Sequence, residues 1–345
     1  MSIFVRYLNE VEITTPTNNF VMTEVDLAGF LENPDDAIGV IIRTTNYDEA
    51  STGWGYEGLV APFNTRASKQ NQNNYTTGVL TLSGGTSIKI LRAVQTDRFF
   101  IVGEIHGSDG AVLHDSEPRH DFVDAQHGVW QDILVTTSGG DQPSDVGAVI
   151  ICANTINQVQ MGVRGKGSSN VQRAFPWEGG TTWFVVSVDD DGYFQLYTTG
   201  KADSDTQDAL FFETGYIKKG SNVVTILDHD NDDLDLDAAA DWAELDLSGV
   251  VPGGAILVGG TWYIEAVPLA VADIAYVRST GSSENSNKLA EKLEQCQGAY
   301  FVGLDANREA EYVLGPGEAT PPQSTHKFFV DWYEIEAPRR IFNTS

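Results

Sequence analysis

The densest group of potential metal ligands runs Asp228-His229-Asp230-Asn231-Asp232-Asp233-Leu234-Asp235-Leu236-Asp237. Hard oxygen donors at alternate positions suit calcium, and Asp228, Asp230 and Asp232 are the candidate ligands. A helix–loop–helix calcium loop begun at Asp228 would need Gly at 233 and Glu at 239, where the chain has Asp233 and Ala239. The alternation from Asp233 to Asp237 fits a short strand instead, with Leu234 and Leu236 pointing inward. Such a strand sets its carboxylates in a row along water and not around a point. The segment therefore reads as an acidic connector, with calcium binding as the alternative.

His106, His114, His120 and His127 lie close together, interleaved with Asp115, Asp121 and Asp124. Their spacings match no helical or zinc-finger ligand pattern, so exposed loop histidines are expected. The chain has no Gly-x-Ser-x-Gly elbow, His-Glu-x-x-His or Cys-x-x-Cys. Gly165-Lys166-Gly167-Ser168 lacks the upstream Gly of a phosphate loop, and its strand-rich context offers no following helix. Acidic pairs for glycoside hydrolysis can be drawn anywhere in so acidic a chain and single out nothing. No catalytic residue and no cofactor is assigned, and an enzyme is not expected.

Arg164 and Arg278 each end an apolar strand just before a Ser-Ser turn. An Arg so placed is expected to bond loop carbonyls or a carboxylate and fix the turn, with ligand binding as the alternative. Trp54, Tyr56 and Trp177 fall in loop-like segments, where aromatic rings would serve as stacking platforms for a glycan.

These residues are positioned by a long internal repeat. Phe99 to Ile105 stands against Phe211 to Ile217 at a shift of 112, and Phe328 to Tyr333 follows at a further 117. Val163-Arg164-Gly165-Lys166-Gly167-Ser168-Ser169 matches Val277-Arg278-Ser279-Thr280-Gly281-Ser282-Ser283 at a shift of 114. Trp130 to Leu134 matches Trp242 to Asp246, and Asp26-Leu27-Ala28-Gly29 resembles Asp246-Leu247-Ser248-Gly249. The chain thus divides into three tandem modules of about 115 residues, at 1–115, 116–232 and 233–345, the first the most divergent. Solenoid units are shorter, and each module is large enough to hold a core, so three separate beads are expected.

Within a module the pattern is all-β. Phe184 to Val188, the turn Asp189-Asp190-Asp191-Gly192 and Tyr193 to Tyr197 read as a hairpin. Val146 to Cys152 reads as a central strand. Short strands at this spacing indicate a β-sandwich of jelly-roll-like type. One short helix is expected, capped by Ser286 and running from Asn287 to Gln295, with Leu289 and Leu293 on one face.

Composition bounds the rest. Asp and Glu number 49 against 21 Lys and Arg, a net charge of −28, which repels nucleic-acid phosphates and anionic membranes. The 34 glycines and 10% aromatics suit short strands and tight turns. Cys152 and Cys296 sit at non-equivalent places and form no repeated disulfide. The opening Met1-Ser2-Ile3-Phe4-Val5-Arg6 has no signal-peptide pattern, so folding in the cytoplasm is expected.

The recurring order is Trp-x-Asp/Glu, an apolar strand after Gly-Ala, Val-Arg-x-x-Gly-Ser-Ser, a strand–turn–strand unit and Phe-Phe-x-x-Gly-Tyr. It resembles β-sandwich modules of tailed-phage virion proteins. The resemblance implies a structural role as a capsid decoration, head fibre or tail component, made in the host cytoplasm and located in the virion. It implies partners among other virion proteins and copies of the chain itself. A glycan-binding host-recognition protein is the alternative function.

Overall fold

The computed structural model describes residues 2–13, 22–46, 51–56, 63–66, 74–82, 85–91, 98–108, 110–115, 119–120, 128–155, 161–169, 173–174, 181–199, 209–221, 224–227, 233–236, 239–265, 273–283, 288–292, 296–316 and 325–336. Their regular structure is strand throughout, apart from one 3-10 turn at Pro143–Asp145. No helix among them is long and apolar enough to cross a membrane.

The first module contains β1 (Phe4–Glu12), β2 (Met22–Asp26), β3 (Ala37–Asn46), β4 (Ser51–Tyr56), β5 (Phe63–Arg66), β6 (Asn74–Thr81), β7 (Ser87–Leu91) and β8 (Arg98–His106). One sheet has the order β1-β8-β3-β6 and the other β2-β7-β4-β5. First pairs with eighth, second with seventh, third with sixth and fourth with fifth. That is one long hairpin folded at β4–β5 and rolled up, the connectivity of a jelly roll.

The second module repeats this with β9 (Ala111–Leu113) and β10 (Arg119–His120) as its broken first strand. There follow β11 (Gln131–Leu134), β12 (Val146–Thr155), β13 (Met161–Gly165), β14 (Arg173–Ala174), β15 (Thr181–Ser187), β16 (Tyr193–Thr198) and β17 (Ala209–Lys218). The third has β18 (Val224–Ile226) and β19 (Asp233–Asp235) as its first strand. It continues with β20 (Ala239–Asp246), β21 (Ala255–Glu265), β22 (Asp273–Ser279), β23 (Lys288–Lys292), β24 (Cys296–Gly303), β25 (Glu309–Pro316) and β26 (Thr325–Ile335). The sheet orders are equivalent in all three, giving three β-sandwiches. Even the irregularities recur. The first strand is interrupted each time, and the ladder between third and eighth strands skips one residue at Val102, Thr214 and Asp331. Pairing joins Ala111–Leu113 to the second module and Val224–Ile226 to the third, a few residues ahead of divisions at 116 and 233.

Three expectations are corrected. The unit from Phe184 to Tyr197 is not a hairpin, because β15 pairs with β12 while β16 pairs with β11 and β13 of the opposite sheet. The turn is an arch over the sandwich edge. Asp189 Oδ1 accepts the N–H groups of Asp191 and Tyr193, and Gly192 takes φ +90°. The third module builds the same arch with Arg308 at φ +70°, anchored by its guanidinium on the carbonyls of Ser248 and Val251. Next, Lys288–Lys292 is a strand and not part of a helix, since the outer sheet takes it as the partner of β22. Sheet pairing overrides the local helical pattern there. Finally, the modules are not separate beads. Each has its own core, but a further apolar cluster draws on all three.

That shared core explains the unbroken apolar runs of the sequence. In β12, Val149, Ile151 and Ala153 face the core of the second module, while Ala148, Ile150 and Cys152 face the shared one. In β15, Phe184 and Val186 face in, and Trp183 and Val185 face the shared core. A sheet buried on both faces loses the polar half of its alternation. Each module presents the sheet holding its first, third, sixth and eighth strands.

Candidate functional site

The candidate site is the junction of the three modules. Phe4 from the first, Trp183 from the second, and Phe301 and Trp332 from the third form a ring cluster with centroids 4.7–6.2 Å apart. All four are nearly or fully buried. The third module seats its ring by an exchange of sizes. The cross-strand pairs Ile41–Gly103 and Ile150–Gly215 become Gly259–Trp332. A Cβ on Gly259 would lie 2.2 Å from the Trp332 indole, so only Gly fits beneath it.

Polar bonds tie the modules together around this cluster. Thr182 Oγ1 accepts the N–H of Ala299 at 2.9 Å, joining second to third. The buried Cys152 thiol lies 3.4 Å from the Val79 nitrogen and 3.7 Å from its oxygen, joining first to second. Among the described residues, several bonds join third to first. Glu334, fully buried, accepts the N–H groups of Ile3 at 2.8 Å and Phe4 at 2.9 Å. Arg6 Nε donates to the Phe301 carbonyl at 3.2 Å, and Asn9 Oδ1 accepts from Ser282 and Ser283. Glu10 lies between Arg6 and Arg43 in a buried ion network, 2.7 Å from Arg43 Nε.

His106, His114 and His120 are not exposed loop residues. His106 is buried, with Nε2 2.9 Å from Glu104 Oε2 and Nδ1 3.5 Å from Asp36. His114 and His120 place their Nε2 atoms 3.6 and 3.0 Å from the two oxygens of buried Glu213, whose Oε1 also accepts the Thr136 N–H at 2.8 Å. Each of these three rings sets a nitrogen beside a buried carboxylate inside its module. Burial opposes ionisation of Glu104, yet the bonds from His106, Tyr7 and the N–H groups of Glu32 and Asn33 outweigh it and lower its pKa. Burial likewise opposes ionisation of Glu213, and the bonds from His120 and Thr136, with His114 close by, prevail and lower its pKa. No group of three or more His, Cys, Asp or Glu among the described residues is arranged to hold a metal ion.

Two repeated signatures meet on the outer sheets. The Arg164 guanidinium lies 4.0 Å over Trp130, and that of Arg278 3.7 Å over Trp242. Arg164 Nε donates to Gln195 Oε1 and Arg278 Nε to Glu311 Oε2, both at 2.7 Å. Trp54 and Tyr56 belong to β4 by backbone, their side chains outside the described residues, as are Trp177, Asp228, Asp230, Asp232, His127 and the Cys296 side chain. Sequence reasoning did not single out Glu104, Glu213 and Glu334. The available signal was an acid inside the apolar closing strand of every module.

No family model matches the chain, and no curated protein does. Among solved structures, it is similar to a chain from the triple jelly roll fold and turret assembly of an archaeal virus, at 9% identity and TM-score 0.23, over 96% of this chain and 90% of that one. A chain of the lipid-containing bacteriophage PM2 matches at 9% identity and TM-score 0.17, over 91% and 95%. The M60 catalytic domain with CBM51-1 and CBM51-2 domains of Clostridium perfringens ZmpB matches at 11% and 0.20, over 92% of this chain and 33% of that one. At these TM-scores the likenesses carry no argument about function.

Proposed function

We propose that this chain is a virion structural protein of a tailed phage, a capsid decoration, head-fibre or tail component that acts by packing and not by catalysis. The observation that carries the reading is the shared core. Three jelly rolls each give up one sheet face to it, so one chain forms a single building unit. The module-level sequence resemblance described above supports the same reading. Partners would be other virion proteins and further copies of the chain. The acidic surface disfavours nucleic acid and anionic membranes as partners. Glycan recognition needs open aromatic faces, and Trp130 and Trp242 each carry an Arg over one face.

Mass spectrometry of purified particles, with antibody labelling in the electron microscope, tests the proposal. A fixed copy number per particle and label on head or tail are expected. Recovery of the chain only from the soluble lysate would overturn it.

A further inference from the structure

The chain itself crosses two of the three joints between modules: β8 leads into β9, and β17 into β18. The joint between third and first modules has no covalent crossing. Positions 105 and 217 of the closing strands carry Ile packed in the shared core, and the equivalent position 334 carries Glu. A carboxylate there forgoes apolar burial in return for holding the start of β1. Ile3 gives its N–H to Glu334 and accepts the His106 backbone N–H through its carbonyl at 2.8 Å. One residue thus bridges the closing strands of the first and third modules.

His106, whose backbone N–H closes this bridge, sets its ring against the buried carboxylate of Glu104. Its two ring nitrogens face carboxylates on opposite sides, Glu104 and Asp36. A neutral imidazole has one N–H and can donate to only one of them, whereas the imidazolium donates to both. The charged groups acting on the ring are Glu104 on its own strand, Asp36 from the turn before β3, and Glu334 from β26.

We propose that the joint between the third and first modules is a proton-operated latch, held while the His106 ring is charged and released when it loses its proton. Deprotonation leaves Glu104, Asp36 and Glu334 without that cation, in a region where buried charge is poorly screened. The bond to Glu104 raises the ring's pKa, with burial acting against it. A raised histidine contributes stability that is complete below its unfolded value of about 6.5 and lost as pH rises through the folded value. The latch is therefore closed in mild acid and opens toward alkaline pH, freeing the start of β1 and uncovering the Phe4 side of the ring cluster.

Amide hydrogen exchange on the full chain tests this, following the segment from residue 2 to 8 with residues 146–152 of β12 as internal reference. After correction for intrinsic rates, the Ile3 and Phe4 amides should exchange about tenfold faster near pH 9 than near pH 6, with the reference unchanged. His106→Gln should exchange fast at both pH values. Equal protection of Ile3 and Phe4 in the wild-type protein at the two pH values would overturn the latch. So would an unaltered pH response in His106→Gln. If that variant does not fold, the wild-type comparison decides alone.

Discussion

Glu334 Oε1 accepts the N–H of Ile3 at 2.8 Å, although 331 residues separate them in the chain. The last strand of the molecule thereby holds the first. Removing the carboxylate leaves two buried N–H groups without it, each worth roughly 1–3 kcal/mol when unsatisfied. Glu334→Ala should destabilise the chain by about 2–5 kcal/mol in chemical denaturation, and Glu334→Gln by less, since its amide oxygen still accepts. A loss near zero for the Ala variant would mean that Ile3 and Phe4 are not held by it.

The exchange of sizes at Gly259 and Trp332 predicts a non-additive pair. Gly259→Ile drives a side chain into the indole. Trp332→Gly empties the centre of the shared core and should cost about 4 kcal/mol or more. The double variant restores the Ile–Gly pairing of the other modules, so it should lose less than the two singles together, with coupling of about 1 kcal/mol or more in a double-mutant cycle. Strict additivity would show that the two positions do not share space.

Phe211 and Phe212 test the two faces of β17. Phe211 is fully buried in the second module, while Phe212 is half-buried against the shared core. Phe211→Ala should cost about 3–5 kcal/mol, and Phe212→Ala clearly less. Equal losses would place both rings in fully closed cores.

Glu213 sets an acid limb. Its pKa is lowered in the fold, because the bonds from His120 and Thr136, with His114 close by, outweigh burial. A depressed carboxyl contributes stability above its unfolded value of about 4.3, lost as pH falls through the folded value. A melting series from neutral into acid should fall less steeply for Glu213→Gln than for the wild-type protein. Parallel curves would mean that Glu213 does not titrate with unfolding.

Much of the module was legible in the sequence, because equivalent residues recur at equivalent ladder positions. The Phe-Phe alignment at 99, 211 and 328 brings the skipped residues Val102, Thr214 and Asp331 into one register. Asp233–Asp235 is the strand its alternation suggested, paired with β26, and Leu234 packs against the third module's core. Other features are not encoded locally. The Asp-Asp-Asp-Gly turn reverses the chain whether the next strand pairs beside β15 or crosses to the opposite sheet. The spacing of Leu289 and Leu293 suits a helix, but only the unfilled edge of β22 decides for strand β23. The shared core is read only when the continuous runs of β12 and β15 are seen as two buried faces. Glu334 looks like any acid in an acidic chain until Ile3 is beside it.

The three modules share one core and should unfold as one structural unit, which calorimetry of the full chain tests directly. A core drawing on all three modules couples their unfolding, so the chain should melt in one transition with calorimetric and van't Hoff enthalpies in agreement. Trp332→Ala should move that whole transition down. Three separable transitions, with only the third displaced by Trp332→Ala, would contradict the account and return the molecule to independent beads.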